Sequence, residues 1–118
     1  MTILDKFNLK DRVAIVTGGG GQLGFEFCKT LAEAGAAVVA ADLNMELATK
    51  TATRLTDSGY SAIAFPLDVT RLESTREMVA ETVKQFGRLD ILVNSAALDP
   101  KFDPDAASKG IAPGAFED

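Results

Sequence analysis

The segment Thr17-Gly18-Gly19-Gly20-Gly21-Gln22-Leu23-Gly24 is the part of the chain best suited to chemistry. It lies between a short apolar run and a helix-like pattern. Glycines in such a turn let the backbone fold tightly and approach a pyrophosphate with no Cβ in the way. The helix that follows offers unpaired N–H groups and a partial positive charge. Four consecutive glycines would also suit a plain flexible loop. The strand–turn–helix setting, with an acid at the end of the next strand, favours a nucleotide site.

Asp42 is that acid. A carboxylate at a strand tip can accept both hydroxyls of an adenosine ribose. The competing reading is a surface Asp ahead of a helix, since Asn44 already supplies a cap. Neither Ala41 nor Leu43 brings a cation beside it, and Gly19 is uncharged, so a 2′-phosphate finds no partner. The expected ligand is a dinucleotide, NAD in preference to NADP.

These residues need a sheet to hold them. Residues 12–17 (Arg-Val-Ala-Ile-Val-Thr) and 36–42 (Ala-Ala-Val-Val-Ala-Ala-Asp) read as strands buried on both faces, as in parallel sheets. Residues 61–67 and 89–94 complete a set of four. Between them run three helical patterns. The first spans 22–34, with Leu23, Phe27, Leu31 and Ala34 on one stripe and Gly35 ending it. The second starts from an Asn44 cap and reaches about Thr56, with Leu47, Ala48, Ala52 and Leu55 inward and a turn over Asp57-Ser58-Gly59. The third opens on a capping box, Thr70-Arg71-Leu72-Glu73, with Leu72, Val79, Val83 and Phe86 on one face and Gly87 closing it. The β-α-β-α-β-α-β alternation with right-handed crossovers predicts one parallel sheet with helices on both faces.

Composition narrows the function. At 47% hydrophobic and 25% charged residues, the chain is that of a globular domain rather than a disordered tail. A formal net charge of -5 argues against nucleic acid and against an anionic membrane surface. Cys28 is the only cysteine and histidine is absent, so an intrachain disulfide, a metal cluster and Ser-His-Asp catalysis are excluded within this chain. No run is long and apolar enough to span a bilayer, and charges near the N-terminus disfavour a signal peptide. The expectation is a cytoplasmic domain.

From about Leu9 to Ala97 the chain resembles the short-chain dehydrogenase/reductase family. The likeness rests on the Gly-rich turn, Asp42, Asp68-Val69 after the third strand, and Leu89-Asp90-Ile91-Leu92-Val93-Asn94-Ser95-Ala96-Ala97. It implies a Rossmann-type fold and a dinucleotide site of Gly18, Gly21, Gln22, Leu23, Gly24, Asp42 and Leu43. It also implies adenine contacts from Asp68 and Val69, and a cofactor-ribose wall from Asn94, Ser95 and Ala96. Asp68 on spacing alone reads equally as an acid ahead of a helix, and Asn94 as a hydrogen bond at the sheet end. Two sites depart from the single-domain pattern. Gln22 stands where Thr-Gly-x-x-x-Gly-x-Gly has its middle glycine, so Gly18, Gly21 and Gly24 fit the spacing of the epimerase-like branch. Asn94-Ser95-Ala96-Ala97 replaces the usual Asn-Asn-Ala-Gly.

The family's Tyr-x-x-x-Lys pair, with its upstream Ser, has no counterpart. The only tyrosine is Tyr60, and four residues on stands Ala64. Ser95 and Ser108 read as loop serines, and Lys101 and Lys109 lack a tyrosine partner. After Asn94 the periodicity stops and three of the four prolines follow. Residues 1–97 are therefore expected to form a dinucleotide-binding half-domain, truncated after its fourth strand, with 98–118 an irregular Pro-rich start of the remainder. The leading expectation is the NAD-binding portion of an alcohol or carbonyl oxidoreductase, inactive by itself. The alternatives are a nucleotide-sugar enzyme of the epimerase-like branch and a non-catalytic nucleotide-sensing or interaction domain. An open fourth-strand edge would favour self-association.

Overall fold

The computed structural model describes residues 8–95. Four parallel strands, β1 (Val13–Thr17), β2 (Ala37–Asp42), β3 (Ala62–Pro66) and β4 (Ile91–Asn94), lie in the order β3-β2-β1-β4. Helices α1 (Gln22–Glu33), α2 (Met45–Asp57) and α3 (Leu72–Phe86) make the three crossovers. The expected α/β architecture is present, with strand boundaries within two residues of those read from the sequence. Ala96, Ala97, the residues 98–118, and with them Lys101, Ser108 and Lys109, lie outside the described residues.

The central strands are apolar on both sides because both sides are covered. Val13, Ala14, Ile15, Val16 and Thr17 of β1 are all buried. Val16 pairs with Ala40, and these two, with Val38, meet Cys28 and Ala32 of α1 and Leu55 of α2. On the opposite face Ile15, Val39 and Ala41 pack against Leu67 and Met78 of α3. Burying one such aliphatic side chain is worth about 1.5–3 kcal/mol.

The helix faces correct the reading of the pattern in each of the three helices. In α1 the buried residues are Gly24, Cys28 and Ala32, while Leu23 and Phe27 are exposed. Small residues face the sheet, so the helix approaches it closely; Phe25 and Leu31 pack half-buried against the same core, and Leu23 and Phe27 turn outward. In α3, Met78 and Thr82 are buried, Phe86 is half-buried, and Leu72, Val79 and Val83 are exposed. Leu92 of β4 is exposed as well. The inward set of α2 holds for Ala48, Ala52 and Leu55, with Thr51 added, whereas Leu47 stays at the surface.

The caps divide similarly. Asn44 caps α2, its Oδ1 accepting from the Leu47 N–H at 3.1 Å. The capping box expected for α3 does not form: Arg71 is the N-cap and no side chain caps there. Thr70 is engaged elsewhere, its hydroxyl and N–H both donating to Asp68 Oδ1, at 2.6 and 3.0 Å.

Beneath the sheet, at the strands' N-terminal end, Asp90 ties β4 to β1. Its Oδ2 accepts from the Val13 N–H at 2.9 Å, and Arg88 donates to both carboxylate oxygens, at 2.7 and 2.8 Å. Among the described residues no helix is long and apolar enough to cross a membrane, and no cluster of His, Cys, Asp and Glu could hold a metal ion.

Candidate functional site

The chemistry-bearing residues gather at the other end of the sheet, where all four parallel strands finish. β1 ends at Thr17 and the chain reverses at Gly18, whose φ of 70° lies in the left-handed region that glycine tolerates. The Gly21 N–H donates back to Gly18 O at 3.0 Å, closing the turn onto α1. Gly24 passes so near this turn that a Cβ there would lie 1.9 Å from Gly18 O. No side chain caps α1 at Gly21, so the N–H groups of its first turn remain available to a ligand.

The middle glycines are not a loose loop. The Gly19 N–H donates to Ala41 O at 3.0 Å, and the Gly20 N–H to Asp42 Oδ2 at 2.9 Å. From below, the buried Thr51 hydroxyl of α2 donates to Gly19 O at 2.8 Å. The other oxygen of Asp42 accepts from the Asn44 N–H at 2.9 Å. The carboxylate is therefore fixed in orientation, with further lone pairs on both oxygens still to offer.

Around these groups lies a cavity of about 820 Å3, within the range of small-molecule and cofactor sites. Ten of the twelve candidate residues line it: Gly18, Gly21, Gln22, Leu23, Gly24, Asp42, Leu43, Asp68, Val69 and Ser95. Asn94 does not. Its Oδ1 accepts from the Thr17 hydroxyl at 2.9 Å, a bond that joins the ends of β4 and β1. The twelfth, Ala96, is outside the described residues. Ser95 is held at the rim by its hydroxyl, which donates to Thr17 O.

Polarity is divided across the cavity. At one side stand the amides of the turn and the N-terminus of α1. At the other stand Asp42 and Asp68, with Leu43, Leu67 and Val69 supplying apolar wall. Both hydrogen bonds from Thr70, the hydroxyl's first, hold the Asp68 carboxyl below the usual carboxylate range. Among the described residues no Lys or Arg lines this cavity. Lys50 and Arg54 line an adjoining groove of about 450 Å3 that shares Gly21, Gln22 and Leu47 with the cavity, and there Arg54 lies 3.8 Å above the Phe25 ring.

Such an arrangement suits a ligand with a diphosphate for the amide end and a hydroxyl-rich, planar group for the acidic end. Leu47, Leu67 and Thr70 also line the cavity and were not singled out in the sequence. Thr51 escaped notice too. Its one signal is a polar residue on the buried Ala48–Ala52–Leu55 stripe, where a hydroxyl must find a partner. Tyr60 packs against the core on the side of α1 and α2, just ahead of β3 and so at the end of the sheet remote from the cavity.

Comparison with known proteins agrees with this geometry. The sequence profile of the short chain dehydrogenase family matches residues 12–112. A short chain dehydrogenase/reductase of Aspergillus oryzae, astE, is 45% identical over 100 residues, which cover 84% of this chain and 38% of that protein. The hydroxysteroid dehydrogenase structure from Escherichia coli superposes with a TM-score of 0.79 at 32% identity, over 85% of this chain and 42% of the other. A protein of Haemophilus influenzae assigned as a D-mannonate oxidoreductase, solved with bound NAD, gives 0.77 at 35% identity, over 89% and 36%. The chain thus spans less than half the length of the relatives it matches. By profile, sequence identity and fold together, the chain belongs to the short-chain dehydrogenase family and corresponds to the N-terminal part of its members.

Proposed function

We propose that this chain is the NAD-binding portion of an oxidoreductase that acts on an alcohol or carbonyl substrate. The observation that carries the reading is the single cavity shared by the Gly-rich turn, the uncapped start of α1 and the doubly anchored Asp42. The N–H groups of the turn and helix would hold the pyrophosphate. Asp42 would accept the hydroxyls of the adenosine ribose, and Asp68 and Val69 would flank the adenine. Leu43 and Leu23 would close the apolar sides, with Ser95 at the rim where β4 ends.

NAD, when bound, supplies the acceptor or donor of hydride at the substrate's carbinol carbon. This chain's residues bind and orient it. The proton at the substrate oxygen needs a separate acid or base, and Tyr60 is remote from the cavity, so the reading assigns no catalytic residue here. Asp42 would repel a 2′-phosphate, which is why NAD is favoured over NADP. A second reading, an epimerase-like nucleotide-sugar enzyme, draws on the Gly18, Gly21 and Gly24 spacing alone. The exposed β4 edge further suggests self-association of this chain.

Calorimetric titration of the chain and its Asp42→Ala variant with both dinucleotides tests the reading. The expected result is tighter binding of NAD by the native chain and a narrower gap in the variant. Equal or tighter binding of NADP by the native chain would overturn the choice of cofactor.

A further inference from the structure

The turn and the acid that discriminates between dinucleotides are held together from outside the cavity. Thr51 is 4% exposed and lines the adjoining groove rather than the cavity itself, and its hydroxyl reaches Gly19 O at 2.8 Å. The next residue, Gly20, donates to Asp42 Oδ2, and Gly19 itself donates to Ala41 O. Three hydrogen bonds thus bind a two-residue piece of turn to the end of β2 and to α2. The packing is correspondingly close: a Cβ at Gly20 would lie 2.6 Å from Leu47 Cβ, and one at Gly19 would lie 2.8 Å from Ala40 Cα. The Gly20 N–H is therefore aimed by the position of the Gly19 peptide, and that peptide by Thr51.

We propose that Thr51 is a positioning residue for cofactor choice: its bond to Gly19 O keeps the Gly20 N–H against Asp42, and so holds the carboxylate where a 2′-phosphate would arrive. This rests on the dinucleotide reading above. A free carboxylate on an exposed strand tip can rotate away from an incoming phosphate and so lower the repulsion. One fastened on both oxygens cannot, so the discrimination depends on the fastening as well as on the charge. Thr51 carries no charge and touches no ligand, so its effect on the ratio of the two affinities can come only through the turn.

The test compares Thr51→Val, which keeps the shape and removes the donor, with Thr51→Ser, which restores the donor. In the ligand-free chain, amide hydrogen exchange at Gly20 should accelerate about tenfold in Thr51→Val relative to the amides of β1, and return towards the native rate in Thr51→Ser. With both dinucleotides titrated, the preference for NAD should fall about threefold in Thr51→Val and recover in Thr51→Ser. A Thr51→Val chain that melts earlier, with Gly20 protection and the affinity ratio both unchanged, would make Thr51 a packing residue and overturn the proposal. Failure of the native chain to bind either dinucleotide would instead overturn the functional reading, and the discrimination with it. The exchange rates would still decide whether Thr51 holds the turn.

Discussion

The Gly20 N–H donates to Asp42 Oδ2 at 2.9 Å, so the Gly-rich turn and the acid at the end of β2 are parts of one hydrogen-bonded unit. In sequence they are separated by the whole of α1. In space both line the same cavity, and the Asn44 N–H fixes the second carboxylate oxygen. A unit charge pair about 4 Å apart at a surface-like dielectric is worth ~4 kcal/mol before salt screening. About 1.4 kcal/mol suffices for a tenfold preference, so a fixed Asp42 facing a 2′-phosphate has strength to spare.

The glycines of the turn should separate by role when each is changed to alanine. At Gly24 the new Cβ would sit 1.9 Å from Gly18 O, so the turn or the helix must move. Overpacking of that kind costs about 1–3 kcal/mol, and Gly24→Ala should melt at least about 4 °C below the native chain. At Gly21 the Cβ would stand 3.4 Å from Gly18 O, an ordinary contact, but it would extend into space the pyrophosphate needs. Gly21→Ala should keep its melting temperature and lose NAD affinity. Thermal melting with titration of both variants checks this; equal melting temperatures would contradict it.

The contrast between those glycines shows what could and could not be read in advance. The parallel sheet follows from apolar, β-branched runs and crossover handedness, and the Asn44 cap from a local rule; the structure bears out both. The inward face of α1 could not be taken from the large apolar residues. A helix that starts beside a nucleotide turn approaches the sheet through its small residues, so Gly24, Cys28 and Ala32 are buried while Leu23 is not. The Thr70 capping box fails because Asp68, two residues away, competes for the same hydroxyl. The bonds from Gly20 to Asp42 and from Thr51 to Gly19 join positions 22 and 32 residues apart, and no periodicity encodes them.

Acid should weaken the fold through Asp90. The Arg88 side chain and then the Val13 N–H hold the Asp90 carboxyl down at about 2, against an ordinary 3.8. Because the folded value is the lower one, the unfolded chain binds more protons in this window, and stability falls as the pH drops from about 4 towards 2. Above the unfolded value the contribution is fully present. Asp90→Asn should lose less stability over that interval than the native chain. Urea midpoints measured at about pH 5 and about pH 2.5 report it; an equal loss in the variant would contradict the assignment.

Self-association should follow from the β4 edge, which no other strand covers among the described residues, and from exposed apolar side chains on β4 and α3. Among the described residues β4 pairs only with β1, and Leu92 and Leu72 are 60% and 65% exposed. Unpaired strand edges with apolar side chains recruit a second chain unless charge deters them. Sedimentation velocity at micromolar concentration should show dimers or larger species for the native chain, reduced in Leu92→Lys. A native chain that runs only as monomer would count against this.

Turnover should be absent even where NAD binds. Transfer of hydride to or from a carbinol needs a proton acceptor or donor within hydrogen-bond reach of the oxygen. Tyr60 packs into the core ahead of β3, and Ala64 stands where a lysine would be needed. An NADH-absorbance assay over secondary alcohols and ketones should stay at background. Turnover that vanishes in Tyr60→Phe would show that an acid or base of a different kind operates here.

The central claim, that the cavity above the strand ends is the dinucleotide site, is tested most directly by an amide-resolved NMR titration of the chain with NAD. The account predicts saturable shifts at Gly18, Gly20, Gln22, Leu23, Gly24, Asp42, Asp68 and Val69, with Arg88 and Asp90 at the far end of the sheet unmoved. Shifts centred on Arg88 and Asp90, or no saturable shift in the Gly18–Gly24 turn, would contradict it.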